Sequence, residues 1–525
     1  MAMAIIVERF LNKFFNINSK KYVSVLATIL MILPGYSESA DWKVSPILDL
    51  IETYSDNVRL ASSGREEGDY ITQVNPGINL TGTGSHLKLN ASYRMQNLFY
   101  ADAKNQKTTN HILNSGADAE LIDDFLFLDA KSSINQQSTS PLVPTTLDNT
   151  NITNDRTEVR TYSVSPFIRN KFSSFASSEL RYTNSVVDTN AGGLLDSKDD
   201  TVTFNMKSGT SFRSVGWGLN YSKQNTDYKT TANDTEIEKY SVDLRYLVTS
   251  KFSLNGTSGY EKFNYISLNQ KPEGPFWSAG FTWAPSRRSN ITASKGQRYY
   301  GDTYALSASS QLRRTHWNLS YNEDISDTRS QFVIPATIDT ASFLDQLWAS
   351  SIPDPVARKQ FVQAFIAQNG LPSSLANPIN LMTNRVFLQK RLQASVAVSG
   401  AKSTVILSAF SSQRDAQTSQ SSDSAIFGSS STAISDSSKQ TGANILWNLR
   451  ITGRTSSSLG FGYIKNSFPS INIETENRSI NMSLSRTFNP KINGSLAARR
   501  VWQESNAGIG DYRENAITAT AHMIF

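Results

Sequence analysis

Apolar and polar residues alternate one by one along run after run of this chain, a period that fits a β-strand with one dry face and one wet face. In Lys88 to Tyr100, Leu89, Ala91, Tyr93 and Met95 share one face, while Lys88, Asn90, Ser92, Arg94 and Gln96 share the other. Tyr240, Val242, Leu244, Tyr246 and Val248 likewise oppose Ser241, Asp243 and Arg245, a face too charged for the interior of a packed sandwich. The pattern returns at Val202, Phe204 and Met206 against Thr203, Asn205 and Lys207, and at Trp317, Leu319 and Tyr321 against His316, Asn318 and Ser320. Late in the chain Ile445, Trp447, Leu449 and Ile451 oppose Asn448 and Arg450, and Ile480, Met482 and Leu484 oppose Asn481, Ser483 and Ser485.

The links between these runs alternate too. Tight ones stand at Gly82 to Ser85, Asp123 with Asp124, Arg213 to Gly216, Thr249 to Lys251, Thr452 to Arg454 and Asn489 to Lys491. Long polar ones stand at Val58 to Asp69, Ala101 to Asn110, Ser138 to Thr157, Asn184 to Asp199 and Asp415 to Ser438. Short turns on one rim and long loops on the other define a transmembrane antiparallel β-barrel of the outer-membrane kind, here of about 22 strands within a range of roughly 20 to 24. Trp277, Trp283, Tyr299 and Tyr300 near strand ends suit interfacial girdles. A soluble β-solenoid or a set of sandwiches is the competing fold, but neither explains alternating link lengths. With 38% hydrophobic residues and a mean hydropathy of -0.36, the chain is too polar for a helical membrane protein. No stretch after residue 40 approaches the roughly 18 consecutive apolar residues that a spanning helix needs.

Residues 1–39 read as a targeting segment, leaving 40–525 for the barrel. Lys20 and Lys21 precede the apolar run Tyr22 to Pro34, and Ser37, Glu38, Ser39 and Ala40 supply small residues for cleavage. An N-terminal membrane anchor is the alternative. The last strand, Tyr512 to Phe525, places Met523, Ala521, Ala519 and Ile517 on one face and Ile524, His522, Thr520, Thr518 and Glu514 on the other. Phe525, Met523 and Ala521 together resemble the terminal signal read by the barrel-assembly machinery. One insertion, 327–384, has helical spacing instead. Phe343, Leu344, Leu347 and Trp348 form a stripe ended by Pro353, and Phe361, Val362, Phe365 and Ile366 form a second after a Pro355 start, stopped by Gly370 and Pro372. On the long-loop rim these two helices would act as a lid or partial plug, or would pack as a plain surface loop.

Little in the chain advertises chemistry. The Cys count of zero excludes disulfides, thiolate metal sites, cysteine nucleophiles and an acylated N-terminal cysteine. His86, His111, His316 and His522 are far apart in sequence, and no segment shows a nucleophile beside a base, so an enzyme is the least favoured class. Asp196 to Asp200 lacks the spacing of a calcium loop, and no cofactor or metal site is indicated. The formal charge of +6 is spread without a stripe or long run, which indicates no nucleic acid and a weak preference for anionic partners. Because the strand pattern starts near Trp42, no large plug domain is expected before it. The expected lumen candidates are Lys88, Arg94, Glu179, Arg181, Lys207, Asp243, Arg245 and Arg450 among Asn, Ser, Thr and Gln, with few inward aromatics. Such a wall stays hydrated and suits a wide conduit for a hydrophilic polymer, including one with anionic groups.

Val44 to Leu60 (VSPILDLIETYSDNVRL), then Val74 to Gly77, and later Thr383 to Ser395 and Tyr512 to Thr518, resemble a family of outer-membrane β-barrels associated with the PEP-CTERM and exosortase system. The resemblance implies a locus shared with exopolysaccharide export, and hence polysaccharide and periplasmic export components as partners beside outer-membrane lipid. It carries over no catalytic residue. A surface adhesion or scaffold barrel acting through its long loops is the alternative. Deleting Phe525 should impair barrel assembly while leaving export across the inner membrane intact. The readout is loss of folded outer-membrane protein with accumulation in the periplasm, and an undiminished folded barrel would refute the assembly signal.

Overall fold

The computed structural model describes residues 41–103, 107–138, 149–153, 156–190, 196–229, 234–265, 272–327, 385–418, 436–508 and 510–525, with residues 329, 344, 345, 358 and 362. The targeting segment 1–39 lies outside them.

Twenty-two strands form one sheet. They are β1 (Asp41–Ser55), β2 (Asp69–Thr83), β3 (Leu87–Tyr100), β4 (Lys107–Ile122), β5 (Leu126–Ser138), β6 (Arg156–Phe172), β7 (Ala176–Thr189) and β8 (Ser197–Ser208). Then come β9 (Val215–Tyr228), β10 (Thr235–Thr249), β11 (Phe252–Asn264), β12 (Glu273–Ser286), β13 (Ser289–Arg298), β14 (Gly301–Gln311) and β15 (Thr315–Asp327). The last are β16 (Val386–Ser399), β17 (Ser403–Ala416), β18 (Ser437–Arg450), β19 (Thr455–Phe468), β20 (Ile473–Asn489), β21 (Ile492–Ser505) and β22 (Tyr512–Ile524). Each pairs antiparallel with its neighbour in sequence, and β1 pairs with β22 from Ile47↔Ile524 to Ser55↔Ala516, closing the sheet on itself. The Phe525 amide adds one more rung by donating to the Pro46 carbonyl at 2.9 Å. A closed, even-stranded antiparallel barrel of this kind is the outer-membrane architecture, and it leaves no free edge strand in the ring.

Cross-strand partners share a face, so the registers sort every residue into two sets. One set exposes Leu50, Tyr54, Val74, Leu244, Tyr246, Trp277, Trp283, Trp447, Met482, Leu496 and Ile517, and faces lipid. The other holds Asp49, Thr53, Gln73, Glu261, Gln393 and Glu514, all buried, and faces the interior. Strands about 4.8 Å apart and tilted roughly 40° make a 22-strand ring about 45 Å across at the backbone.

The short-turn rim is regular, from Gly84–His86 to Pro490–Lys491, and both Asp41 and Phe525 lie on it. Asp124 and Ser173 close two of these turns with positive φ of 55° and 50°. The other rim is less uniform than the sequence suggests. Tyr299 with Tyr300, and Pro469–Ile471 with Asn472, are short links there, and the strands extend to Thr189 and from Ser197 where a loop over Asn184 to Asp199 is expected. Strand length outside the membrane is set by pairing alone, which polar residues also satisfy. The expected lid residues Phe343, Leu347, Trp348, Phe361 and Phe365 lie outside the described residues. Within the same insertion Leu344, Asp345, Arg358 and Val362 are helical, Leu344 and Val362 are buried, and Arg358 bonds Asp345 at 2.8 Å.

The face assignment is directly testable. Met482→Arg places a charge on the lipid face and should destabilise the barrel by about 2–4 kcal/mol, whereas Asn481→Arg on the adjacent interior position should cost far less. Urea unfolding from lipid vesicles measures both, and equal losses would contradict the assignment.

Candidate functional site in the lumen

All eight charged residues named from the alternation stand on the interior set. Lys88 faces Thr83 and Asp118, Arg94 faces Gly77, Glu179 and Arg181 share β7 with Ser177, and Lys207 faces Gly218. Asp243 and Arg245 face Gly218 and Gly216, and Arg450 lies across from Ser456 at the short-turn rim. Period-two alternation finds the face of each residue, but not its partners.

Those partners divide the wall into bonded and unbonded charges. Arg94 Nε reaches Asp49 at 2.7 Å, and the same carboxylate takes His522 Nδ1 across the β1–β22 closure. Above it Ser55 donates to Glu514 at 2.7 Å, and Arg499 and Asn151 donate to the same carboxylate at 3.0 Å and 2.7 Å. Three segments, around Ser55, Asn151 and Arg499, thereby converge on one buried carboxylate at the closure. Arg181 bridges Asp129 at 2.5 Å and Glu179 at 3.1 Å, while Arg169 holds the other oxygen of Glu179 at 2.9 Å. Asp243 accepts from Asn220 at 2.6 Å and Thr257 at 2.7 Å. Elsewhere hydroxyls pair across strands, as in Ser458 with Ser483 at 2.6 Å and Ser133 with Thr161 at 2.7 Å, giving a neutral, hydratable surface.

The interior is richer in aromatics than the sequence suggests. Phe127 and Phe167 stack with centroids 5.0 Å apart, and Arg181 and Arg169 lie over Phe167 at 3.8 Å and 5.4 Å. Near the long-loop rim Phe263, Tyr265, Tyr299 and Tyr300 form a second group, with the Tyr265 and Tyr299 hydroxyls 2.7 Å apart. Tyr299 and Tyr300 therefore pack inward around Arg298 and do not join a lipid girdle, unlike Trp277 and Trp283, which are exposed outward. Burial holds the Tyr265 hydroxyl up at about 12 and pushes Tyr299 well above its ordinary value. Phe276 and Phe410 each lie over a glycine of the next strand, Gly259 and Gly442. A Cβ at either would meet the ring at 2.8 Å or 2.6 Å. An isolated aromatic opposite a glycine is the signal that period counting passes over.

The four histidines do not gather. His86 lies 3.4 Å from Asp123 at a turn, His111 bonds Tyr93 on the outer face, His316 is buried on β15, and His522 is on β22. Among the described residues no group of three or more potential ligands could hold a metal ion.

Glu261 is fully buried and takes Arg298 through both oxygens, at 2.9 Å and 3.0 Å to Nε, while Arg298 also reaches Asp324 at 2.7 Å. Removing one member of such a pair strands a buried charge, at a cost of about 3–5 kcal/mol. Glu261→Ala and Arg298→Ala should each lose stability on that order, and the double variant less than their sum. Additive losses in that cycle would show the pair to be uncoupled.

No protein-family model matches the chain, and no curated protein matches it in sequence. Among solved structures it is similar to the FrpB iron transporter from Neisseria meningitidis, at 10% identity and a TM-score of 0.48, covering 92% of this chain and 82% of that one. The siderophore receptor PirA from Acinetobacter baumannii is 8% identical with a TM-score of 0.47, covering 92% and 80%. OccK2 (OpdF) from Pseudomonas aeruginosa is 7% identical with a TM-score of 0.35, covering 94% and 99%. These are likenesses of distant barrel architecture and carry nothing over about what this chain binds or moves.

Proposed function

We propose that the barrel is a hydrophilic conduit through the outer membrane, carrying exopolysaccharide with the help of periplasmic export components. The observation that carries the conduit reading is the interior face itself. Strand after strand turns Ser, Thr, Asn, Gln and charged side chains inward, and the acids among them that bond are held by neighbours on the wall. A wall with most of its carboxylates bonded presents water and hydroxyls to a passing chain, which favours sliding over tight retention. The cargo is supported by the resemblance of Val44 to Leu60 and Tyr512 to Thr518 to the exopolysaccharide-associated barrels. The barrel acts in this reading by shape and hydration, without a chemical step.

Purified protein in planar bilayers should give discrete conductance steps, and a deletion strain should secrete less polymer while still making it. A barrel that stays closed in a strain with normal polymer yield would overturn the conduit and favour adhesion or scaffolding through the long loops.

A further inference from the structure

The charges of the links are sorted by rim. The ten short turns contain nine Lys and Arg against two Asp, a formal balance of +7. Among the described residues the eleven links of the opposite rim contain six Lys and Arg against nine Asp and Glu, a balance of -3. The sorting is finer still around the ring. Seven consecutive short turns, from residues 209–214 to 490–491, each carry a cation and no acid, with Arg287–Arg288 and Arg313–Arg314 doubled. Successive turns stand about 13 Å apart along the tilted ring, some one and a half Debye lengths at physiological salt, so neighbouring fields overlap in part.

The strands β3 to β10, which span the three turns without a cation and the first of the seven, also carry cations on the inner wall. Lys88, Lys131, Lys171, Lys207 and Arg245 all belong to the interior set, lie toward the short-turn end of their strands and are exposed. None has an ion-pair partner among the described residues. Of the neighbouring acids, Asp129, Glu179 and Asp243 are bonded to side chains of the wall and Glu120 accepts from the Asp124 amide, which leaves Asp118, opposite Lys88, unbonded. Arg169, anchored over the Phe127 and Phe167 rings and bonded to Glu179, is still 46% exposed and keeps donors free for the lumen.

We infer that this mouth is a capture site for a carboxylate-bearing polysaccharide, which enters the lumen from the short-turn, periplasmic side. Lipid headgroups could neutralise cations on the outside of the turns but cannot reach five that line the interior. The acidic opposite rim repels the same polymer, so entry is favoured from one side and opposed from the other. The inference rests on the conduit reading and names its substrate class and its point of entry.

The test uses full-length protein in planar bilayers, its orientation fixed by one-sided cleavage of a protease site placed in the 417–436 link. Oligogalacturonate should block the current at an about tenfold lower concentration from the short-turn side than from the other, an effect that fades with salt. A neutral dextran of matched length should block equally from both sides. The variant Lys88→Glu, Lys131→Glu, Lys171→Glu, Lys207→Glu and Arg245→Glu should still conduct but lose the sidedness and shift toward cation selectivity. Equal block from both sides in the conducting parent, or sidedness retained in the variant, overturns the capture site and leaves the conduit standing. Sidedness that depends on anionic lipid and ignores the five substitutions overturns it in favour of a headgroup-binding rim. If the parent does not conduct, the conduit fails separately. Calorimetric titration of oligogalacturonate into detergent-solubilised protein then decides the site, with salt-dependent binding in the parent and none in the variant supporting it and no binding in the parent overturning it.

Discussion

Everything in this barrel depends on one set of backbone hydrogen bonds, the rungs between β1 and β22. In hydrocarbon an unpaired N–H or C=O costs several kcal/mol, so a sheet that crosses lipid must end on itself. The closing pair has the fewest local advantages, since its partners are separated by most of the chain and must meet at the cost of loop closure. The side chains at the closure answer that difficulty. Thr53 meets Thr518 at 3.0 Å, Asp49 takes both Arg94 and His522, and Glu514 gathers Ser55, Asn151 and Arg499. A buried acid with three donors is well satisfied only when the register is right. A shift by one residue would turn Glu514 to lipid and Arg513 inward, so the network fixes register as much as it adds stability.

Closure also creates the division between lipid and lumen, and that division organises the remaining energetics. On the outer face an apolar side chain needs no specific partner, and Leu244, Met482 and Ile517 show no more than their surface. On the inner face the low-dielectric wall strengthens each charge interaction, so acids bond to near neighbours and stiffen the sheet. Glu261 with Arg298, Glu179 between two arginines and Arg385 with Asp436 are variations on this arrangement.

How much of this was legible follows from what period two can encode. Strand number, the rim on which both ends of the strand series lie, and the face of Lys88, Asp243 or Arg450 follow from alternation, because a strand offers only two sides. Partners do not. Asp49 and His522 are 473 residues apart, and nothing local in either segment announces the other. The inward aromatics escape for a different reason. Phe127 and Phe167 occupy the wet face of runs whose other positions look ordinary, and they become intelligible only when stacked under Arg169 and Arg181. Tyr299 and Tyr300 read as girdle residues because they sit at a strand end, yet the pull of Phe263 and Arg298 turns them inward.

Turn chemistry makes the charge sorting at the rims informative. Two- and three-residue hairpin links favour Asn, Asp and Gly, residues that tolerate positive φ, and nothing in hairpin geometry calls for arginine. Arg287 with Arg288 and Arg313 with Arg314 therefore occupy positions that the fold would fill as well or better with other residues. Snorkelling to headgroups accounts for cations on the outside of a turn. It does not account for Lys131 or Lys207, which stand across the sheet from Gly116 and Gly218 on the lumenal side. Two structural settings, the exposed turns and the inner wall near them, thus carry an excess of the same sign at the same rim, while the opposite links carry an excess of the other. Local folding demands cannot produce that agreement across the barrel. A shared partner of negative charge arriving from the short-turn side can.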